Sequence, residues 1–320
     1  MYKLLVFVLL QTFLLANPVV DIYRDGGINA VEQYIKKQLQ TKSYWEEKIE
    51  TIDVSLGYYE DLDTLLIASK KNKELRVYQS SKNQIKHLST YENVIVGADG
   101  DKYKEGDLKT PLGVYRIKQR FIPPDQFYGP LAFVLSYPNT FDKVQGKNGH
   151  GIWIHGSPLD GSPRDPMSKG CIVLDNNTIE LLDKKIMPKN SITIVSENGI
   201  KAVDKSEIST ILANLFQWKN AWKNSDIKTY LSFYSDEFKR YDGLKKKNFA
   251  RMKKSIFARK EAKTIIFKGI NISPYPNEKG KRIFKVSFHE NYKTKRYSFN
   301  GNKELFVELN EKNFLILSEK

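Results

Sequence analysis

The sequence predicts two domains of different class behind a small helical N-terminal region: a mainly-β domain, then an α+β domain. Three observations carry this. Between Leu65 and Ser196, short apolar or alternating runs recur, separated by turn-rich stretches. From Val203 the apolar residues take a helical period, and past Lys263 they change to long alternating runs. The charge is also split: residues 1–203 hold 26 lysines and arginines against 24 acids, whereas 204–320 hold 26 against 13. At 320 residues, with 40% hydrophobic and 12% aromatic content, the chain is long enough for two packed cores.

Residues 1–17 read as a signal peptide: Lys3, then an apolar run ending at Ala16. Gln11 and Thr12 break the run, which is short for a membrane span. The expectation is export to the periplasm, with a retained membrane anchor as the alternative. Export sets nucleic acid aside as a partner of the basic C-terminal third. An anionic lipid or polymer would suit that surface, unless its lysines only solvate an exposed face.

Residues 18–61 form the helical region, with Ile28, Val31, Ile35 and Leu39 at helical spacing after Gly26 and Gly27. The β domain is expected over 62–198. "TLLIAS" and "ELRVYQ" read as a hairpin, and "NVIVGAD" as a strand. Pro111 and Gly113 turn the chain into a strand at Val114–Lys118. "LAFVLSY", "GIWIHG", "GCIVL" and "NSITIVS" are further strands, with Trp153 expected in the core. Ile179, Leu182 and Ile186 mark a helix that Asn176 or Asn177 would cap. Over 204–320, Ile208 to Trp222 carry one helical stripe, broken at Asn224–Ser225. A basic helix follows, with Phe249, Met252 and Ile256 on one face, and four alternating runs complete an antiparallel sheet.

Cys171 is the only cysteine, so no intrachain disulfide exists and the thiol is a filler, an intermolecular bridge or a reactive group. Its neighbours favour reactivity. A thiol nucleophile needs a base, a group to hold that base, and backbone N–H donors for an oxyanion. His155, sixteen positions earlier, is followed by Gly156, and Gly170 precedes Cys171. The loop between them is rich in Gly, Pro and Ser and suits a lid or substrate wall. Two alternatives stand beside this: His155 as a core histidine, and a zinc site from His150, His155 and Cys171, which lacks a fourth ligand at fitting spacing.

The stretch "HG…SKGCIVL" resembles the signature of the L,D-transpeptidase catalytic domain family, and "TPLGVY" (Thr110–Tyr115) resembles that family's T-P-x-G segment. The resemblance covers about 62–198. It implies Cys171 as nucleophile, His155 as base and the carbonyl of Gly156 as the third member. Lys169 and Val173 depart from the commonest residues at their positions. Residues 204–320 resemble the nuclear-transport-factor-2-like (NTF2-like) fold. The pairing behind a leader is similar to the cell-shape-determining L,D-carboxypeptidases of helical Gram-negative bacteria. That implies peptidoglycan stem peptides as substrate, removal of the terminal D-alanine, and a homodimer through 18–61.

Crosslink formation by an amine attacking the same thioester, and a non-catalytic wall-binding protein, remain the alternative functions. Lys169, Arg164, Ser168, Gly170 and His150 are the candidates for substrate contacts. Lys169 is also a candidate for lowering the thiol pKa. No phosphate loop or dinucleotide motif is present, so no organic cofactor is expected, and no metal.

Overall fold

The computed structural model describes residues 18–81, 84–187, 190–310 and 314–320. The expected signal peptide, 1–17, lies outside the described residues. None of the described helices is long and apolar enough to cross a membrane.

The N-terminal region opens with α1 (Pro18–Leu39), a helix kinked at Gly27, where φ is 66° and ψ −167°. The kink divides α1 into two segments, and the second, 28–39, is the helix that the sequence places after Gly26 and Gly27; the first, from Pro18, is additional. Of its four spaced apolar residues, Val31 is buried and Leu39 packs against a core, whereas Ile28 and Ile35 face solvent. Helix α2 (Lys42–Lys48) buries Trp45 against Phe216, with ring centroids 5.4 Å apart. Trp45, Ile49 and Val54 are thus part of the C-terminal core, and β1 (Tyr58–Tyr59) pairs with the C-terminal sheet. This region is a set of contributions to its neighbour, which a helical reading of 18–61 did not anticipate.

The middle of the chain forms an eight-stranded sheet. Its strands are β2 (Thr64–Ser69), β3 (Glu74–Ser81), β4 (Gln84–Tyr91), β5 (Gly113–Phe121), β6 (Ala132–Leu135), β7 (Trp153–His155), β8 (Ile172–Val173) and β9 (Ser191–Ser196). The order across the sheet is β4-β3-β2-β9-β5-β6-β7-β8. The β2–β3 hairpin forms as expected, and β2 pairs in parallel with β9. "NVIVGAD" differs: apart from single bridges from Ile95 to Val173 and from Ala98 to Lys109 it is irregular, and it runs along the β8 end of the sheet. Two short helices belong here, α3 (Thr140–Val144) and α4 (Asn176–Asp183). The N-cap of α4 is Asp175, whose side chain accepts from Thr178 N–H, one residue before the asparagines expected to cap it.

The C-terminal unit is helices first and sheet second, as its periods predict. Helix α5 (Lys205–Lys223) starts from a capping box between Asp204 and Glu207 and buries Ile208, Leu212, Leu215 and Trp218. Ser225, with φ 59°, breaks the chain before α6 (Ile227–Ser232), and α7 (Lys246–Ala258) follows. Strands β10 (Thr264–Tyr275), β11 (Ile283–Lys293), β12 (Ser298–Leu309) and β13 (Phe314–Glu319) form an antiparallel sheet with β1 at its edge. An apolar cluster spans the two sheets, with Leu65, Ile67, Val114 and Ile194 from one and Tyr275, Ile283 and Phe306 from the other.

Candidate active site

The site lies at the β7–β8 edge. These strands are parallel, with Ile154 opposite Ile172 and His155 opposite Val173. Paired residues in parallel strands point to the same side, so Trp153, His155, Cys171 and Val173 share one face. Ile154, Ile172 and Leu174 take the other face and enter the core. The alternation that buries the core face thus delivers histidine and cysteine together. Trp153, expected in the core, is on the cleft face instead, half-buried and edge-on to Phe121 and Tyr128 at 5.0 Å.

His155 is 1% exposed. Its Nδ1 is 2.7 Å from the carbonyl oxygen of Gly156. A carbonyl only accepts, so Nδ1 carries the proton and Nε2 presents a lone pair. Nε2 is buried and has no hydrogen-bond partner in the structure. The Tyr128 ring stands edge-on to the imidazole at 5.0 Å, and the Tyr128 carbonyl accepts from Gly156 N–H at 3.1 Å. A Cβ on Gly156 would lie 2.5 Å from Asn176 Oδ1, so only glycine fits this close approach. Burial pushes the imidazole pKa down to about 4, against a partial rise from the Gly156 carbonyl.

Cys171 retains a route to solvent, but its sulfur is set against the backbone of 151–153. Sγ lies 3.4 Å from the Gly151 carbonyl. Burial raises the thiol pKa; a backbone hydrogen bond from Trp153 and the charges of Arg164 and Lys102 act the other way. Both shifts favour the neutral form of the group. The expectation that Lys169 tunes the thiol is corrected: Lys169 is exposed, and Arg164 and Lys102 are the cations that act on the sulfur.

The other candidates fall in distinct places. Arg164 lies over the Phe127 ring, 4.3 Å from its centroid, at the cleft. Ser168 holds the cysteine turn: its hydroxyl donates to the Cys171 carbonyl at 2.6 Å and accepts from Gly170 N–H at 3.1 Å. That hydroxyl is committed to its own turn, which argues against a substrate contact. It also takes up the Gly170 N–H, which is therefore not free for an oxyanion. Gly170 has φ 121°, and a Cβ there would be 2.8 Å from the Lys109 carbonyl. His150 is 84% exposed, 4.0 Å from Glu105, and does not touch His155. Among the described residues, no group of three or more His, Cys, Asp or Glu is placed to hold a metal ion.

Tyr128, Phe127, Asn176 and Lys102 are the site residues that sequence reasoning missed. Nothing local marks them: Phe127 and Tyr128 share the turn 126–128, Asn176 opens α4, and Lys102 lies in the irregular stretch before β5, so only the fold brings them together.

Residues 63–194 match the L,D-transpeptidase catalytic domain (YkuD), and 210–320 match the Cds6 C-terminal NTF2-like domain. The chain belongs to the L,D-transpeptidase family, in the form that joins this catalytic domain to a C-terminal NTF2-like domain. It is similar along most of its length to the helical cell shape determining protein Pgp2 of Campylobacter jejuni. The two are 46% identical, with a TM-score of 0.83, over 88% of this chain and 99% of that one. Bd1075 of Bdellovibrio bacteriovorus shares the fold at 24% identity, with a TM-score of 0.65, over 84% of this chain and 97% of that one. YafK of Escherichia coli K12, assigned to the L,D-transpeptidases, is 30% identical over 112 residues, 35% of this chain. The chain spans 42% of the length of that curated relative.

Proposed function

We propose that the chain is an exported peptidoglycan L,D-carboxypeptidase that removes the terminal D-alanine of stem tetrapeptides. The observation that carries the reading is His155 fixed with its proton on Nδ1, its Nε2 lone pair unpartnered, on the same sheet face as Cys171.

Nε2 takes the thiol proton as sulfur attacks the carbonyl of the third stem residue, at its L-centre. The tetrahedral oxyanion collapses as Nε2–H protonates the departing D-alanine amine, leaving a tripeptidyl thioester on Cys171. Water, deprotonated by Nε2, then attacks the thioester, and a tripeptide carboxylate and the free thiol result. An amine in place of water would give a crosslink instead. Similarity to a cell-shape determinant over nearly the whole chain supports a wall-remodelling role, and Arg164 over Phe127 suits a substrate carboxylate at the cleft rim.

The C-terminal domain would grip the same polymer. It holds a cavity of about 500 Å³ lined by Trp222, Lys253, Arg259, Lys263 and Lys303 together with Glu290 and Glu319. Lys253 Nζ lies over Trp222, Tyr230 and Phe249 at 5.1, 5.3 and 5.1 Å. A desolvated cation of this kind favours a carboxylate ligand. The homodimer reading would use α1, where Val20, Tyr23, Ile28 and Ile35 are exposed.

The test is incubation with a stem tetrapeptide, with and without an amine acceptor. Tripeptide and free D-alanine in both arms support hydrolysis. A new amide in the second arm would make the chain a transpeptidase. Neither D-alanine nor thioester would leave only wall binding.

A further inference from the structure

The C-terminal domain reaches into the backbone that supports the cysteine turn. Tyr275, the last residue of β10, is 3% exposed. Its hydroxyl accepts from Asn139 Nδ2 at 2.9 Å and donates to Asp142 Oδ1 at 3.2 Å. The same hydroxyl lies against Gly113 of the T-P-L-G segment. A Cβ on Gly113 would be 2.6 Å from the oxygen, and φ there is 145°. The glycine of a catalytic-domain motif is thus in contact with a side chain of the other domain.

The contact closes a ring. Asp142 is 3.2 Å from Lys147 Nζ, and Lys147 also pairs with Asp101. Asp101 Oδ1 accepts from Leu112 N–H at 2.8 Å, next to Gly113. Glu278, three residues beyond Tyr275 in the β10–β11 turn, holds the ring from outside. Its carboxylate accepts from Asp101 N–H, and from the Tyr103 hydroxyl at 3.2 Å. From this anchor the chain runs back only four residues, to Lys109, whose carbonyl is the surface that Gly170 abuts. The turn carrying Cys171 also rests on Val96, whose carbonyl accepts from Ser168 N–H at 2.9 Å, and Gly97 N–H is tied to Thr110 Oγ1 at 2.8 Å.

We infer that Tyr275 and Glu278 are positioning residues for acyl transfer at Cys171: through Lys109–Gly113 they fix the turn that carries the sulfur and the Cys171 N–H, beside which the oxyanion would develop. This rests on the acyl-transfer reading above. Misplacing a reacting group by a fraction of an ångström costs catalysis far more than it costs binding. Tyr275 also packs on Phe141 and Phe306, at 5.5 and 5.4 Å, so the informative change removes the hydroxyl and keeps the ring.

The experiment compares full-length wild type, Tyr275→Phe and Glu278→Ala in two reactions of the same thiol. D-alanine release passes through an oxyanion; alkylation by iodoacetamide, a displacement at saturated carbon, does not. Tyr275→Phe should lower kcat roughly tenfold, and Glu278→Ala, at an exposed carboxylate, about threefold. KM and the alkylation rate should both stay within about twofold. Unchanged kcat in both variants would overturn the inference. So would a loss of alkylation in step with kcat, which marks general disruption. If Tyr275→Phe does not fold, Glu278→Ala decides by the same criteria. A wild type that releases no D-alanine would sink the acyl-transfer reading itself, whereas an active wild type with two insensitive variants sinks only this inference.

Discussion

In the cleft, burial drives both titratable groups towards neutrality: the imidazole pKa falls to about 4 and the thiol's rises. In the C-terminal cavity, burial acts on Lys253 but carboxylates surround it, and the pKa settles at about 8 because Glu319 and Glu290 oppose desolvation. In the proposed reaction the first site holds an uncharged proton acceptor and an uncharged proton donor. The other keeps a cation that remains charged at neutral pH. In the proposed function this difference would separate bond chemistry from adhesion: the first needs a transferable proton, the second a standing charge.

The sharpest way to break that division is at the thiol. Cys171→Ala should remove turnover, a loss of roughly 10⁴-fold or more in kcat, while circular dichroism and sacculus binding stay unchanged. His155→Ala should cost roughly 10²-fold or more, measured as D-alanine release. A dead His150→Ala beside a near-normal His155→Ala would place the base on the wrong histidine. Lys253→Met should act on the other side only. Sacculus co-sedimentation should weaken about tenfold, and kcat on a soluble tetrapeptide should hold. Because Lys253 is charged below about pH 8 and neutral above it, wild-type sacculus binding should fall as pH rises through that value, and added salt should weaken it.

The acidity of the cleft gives a further handle. The base must be neutral, and its proton leaves at about pH 4, so kcat/KM should hold through pH 5–7 and fall only near pH 4. Alkylation of Cys171 should keep rising past the ordinary thiol value of 9.0, because no ion pair forms at rest. A plateau of alkylation near pH 6 would show an imidazolium–thiolate pair and break the contrast. The smallest expected effect is at the loop cations. Arg164→Met should raise KM a few-fold. Lys169→Met should leave KM and the alkylation profile within about twofold.

What the sequence disclosed follows from periodicity. Alternation in "GIWIHG" and "GCIVL" sets His155 and Cys171 on one face, because burying Ile154 and Ile172 leaves them no other side. The same alternation misled on Trp153, since its side of the strand is a cleft lined by Phe121 and Tyr128 and not a second core. The helical stripes of α5 and α7 were plain, being long and amphipathic. Capping at Asp175 in place of Asn176 is a one-residue matter of which side chain meets Thr178 N–H. Long-range partners left no trace: that Gly113 is a glycine because Tyr275 lies on it needs the fold. Nor could composition show that Trp45, in a short polar-looking helix, belongs to a core built mostly from residues beyond 200.

In the proposed reaction Cys171 carries the acyl group. The direct measurement is peptide-mapping mass spectrometry of protein quenched in acid during turnover of a stem tetrapeptide. A tripeptidyl adduct is expected on the peptide containing Cys171, labile to hydroxylamine, building up as D-alanine is released and absent from Cys171→Ala. Release of D-alanine at the wild-type rate by Cys171→Ala, with no adduct on the wild-type thiol, would contradict it.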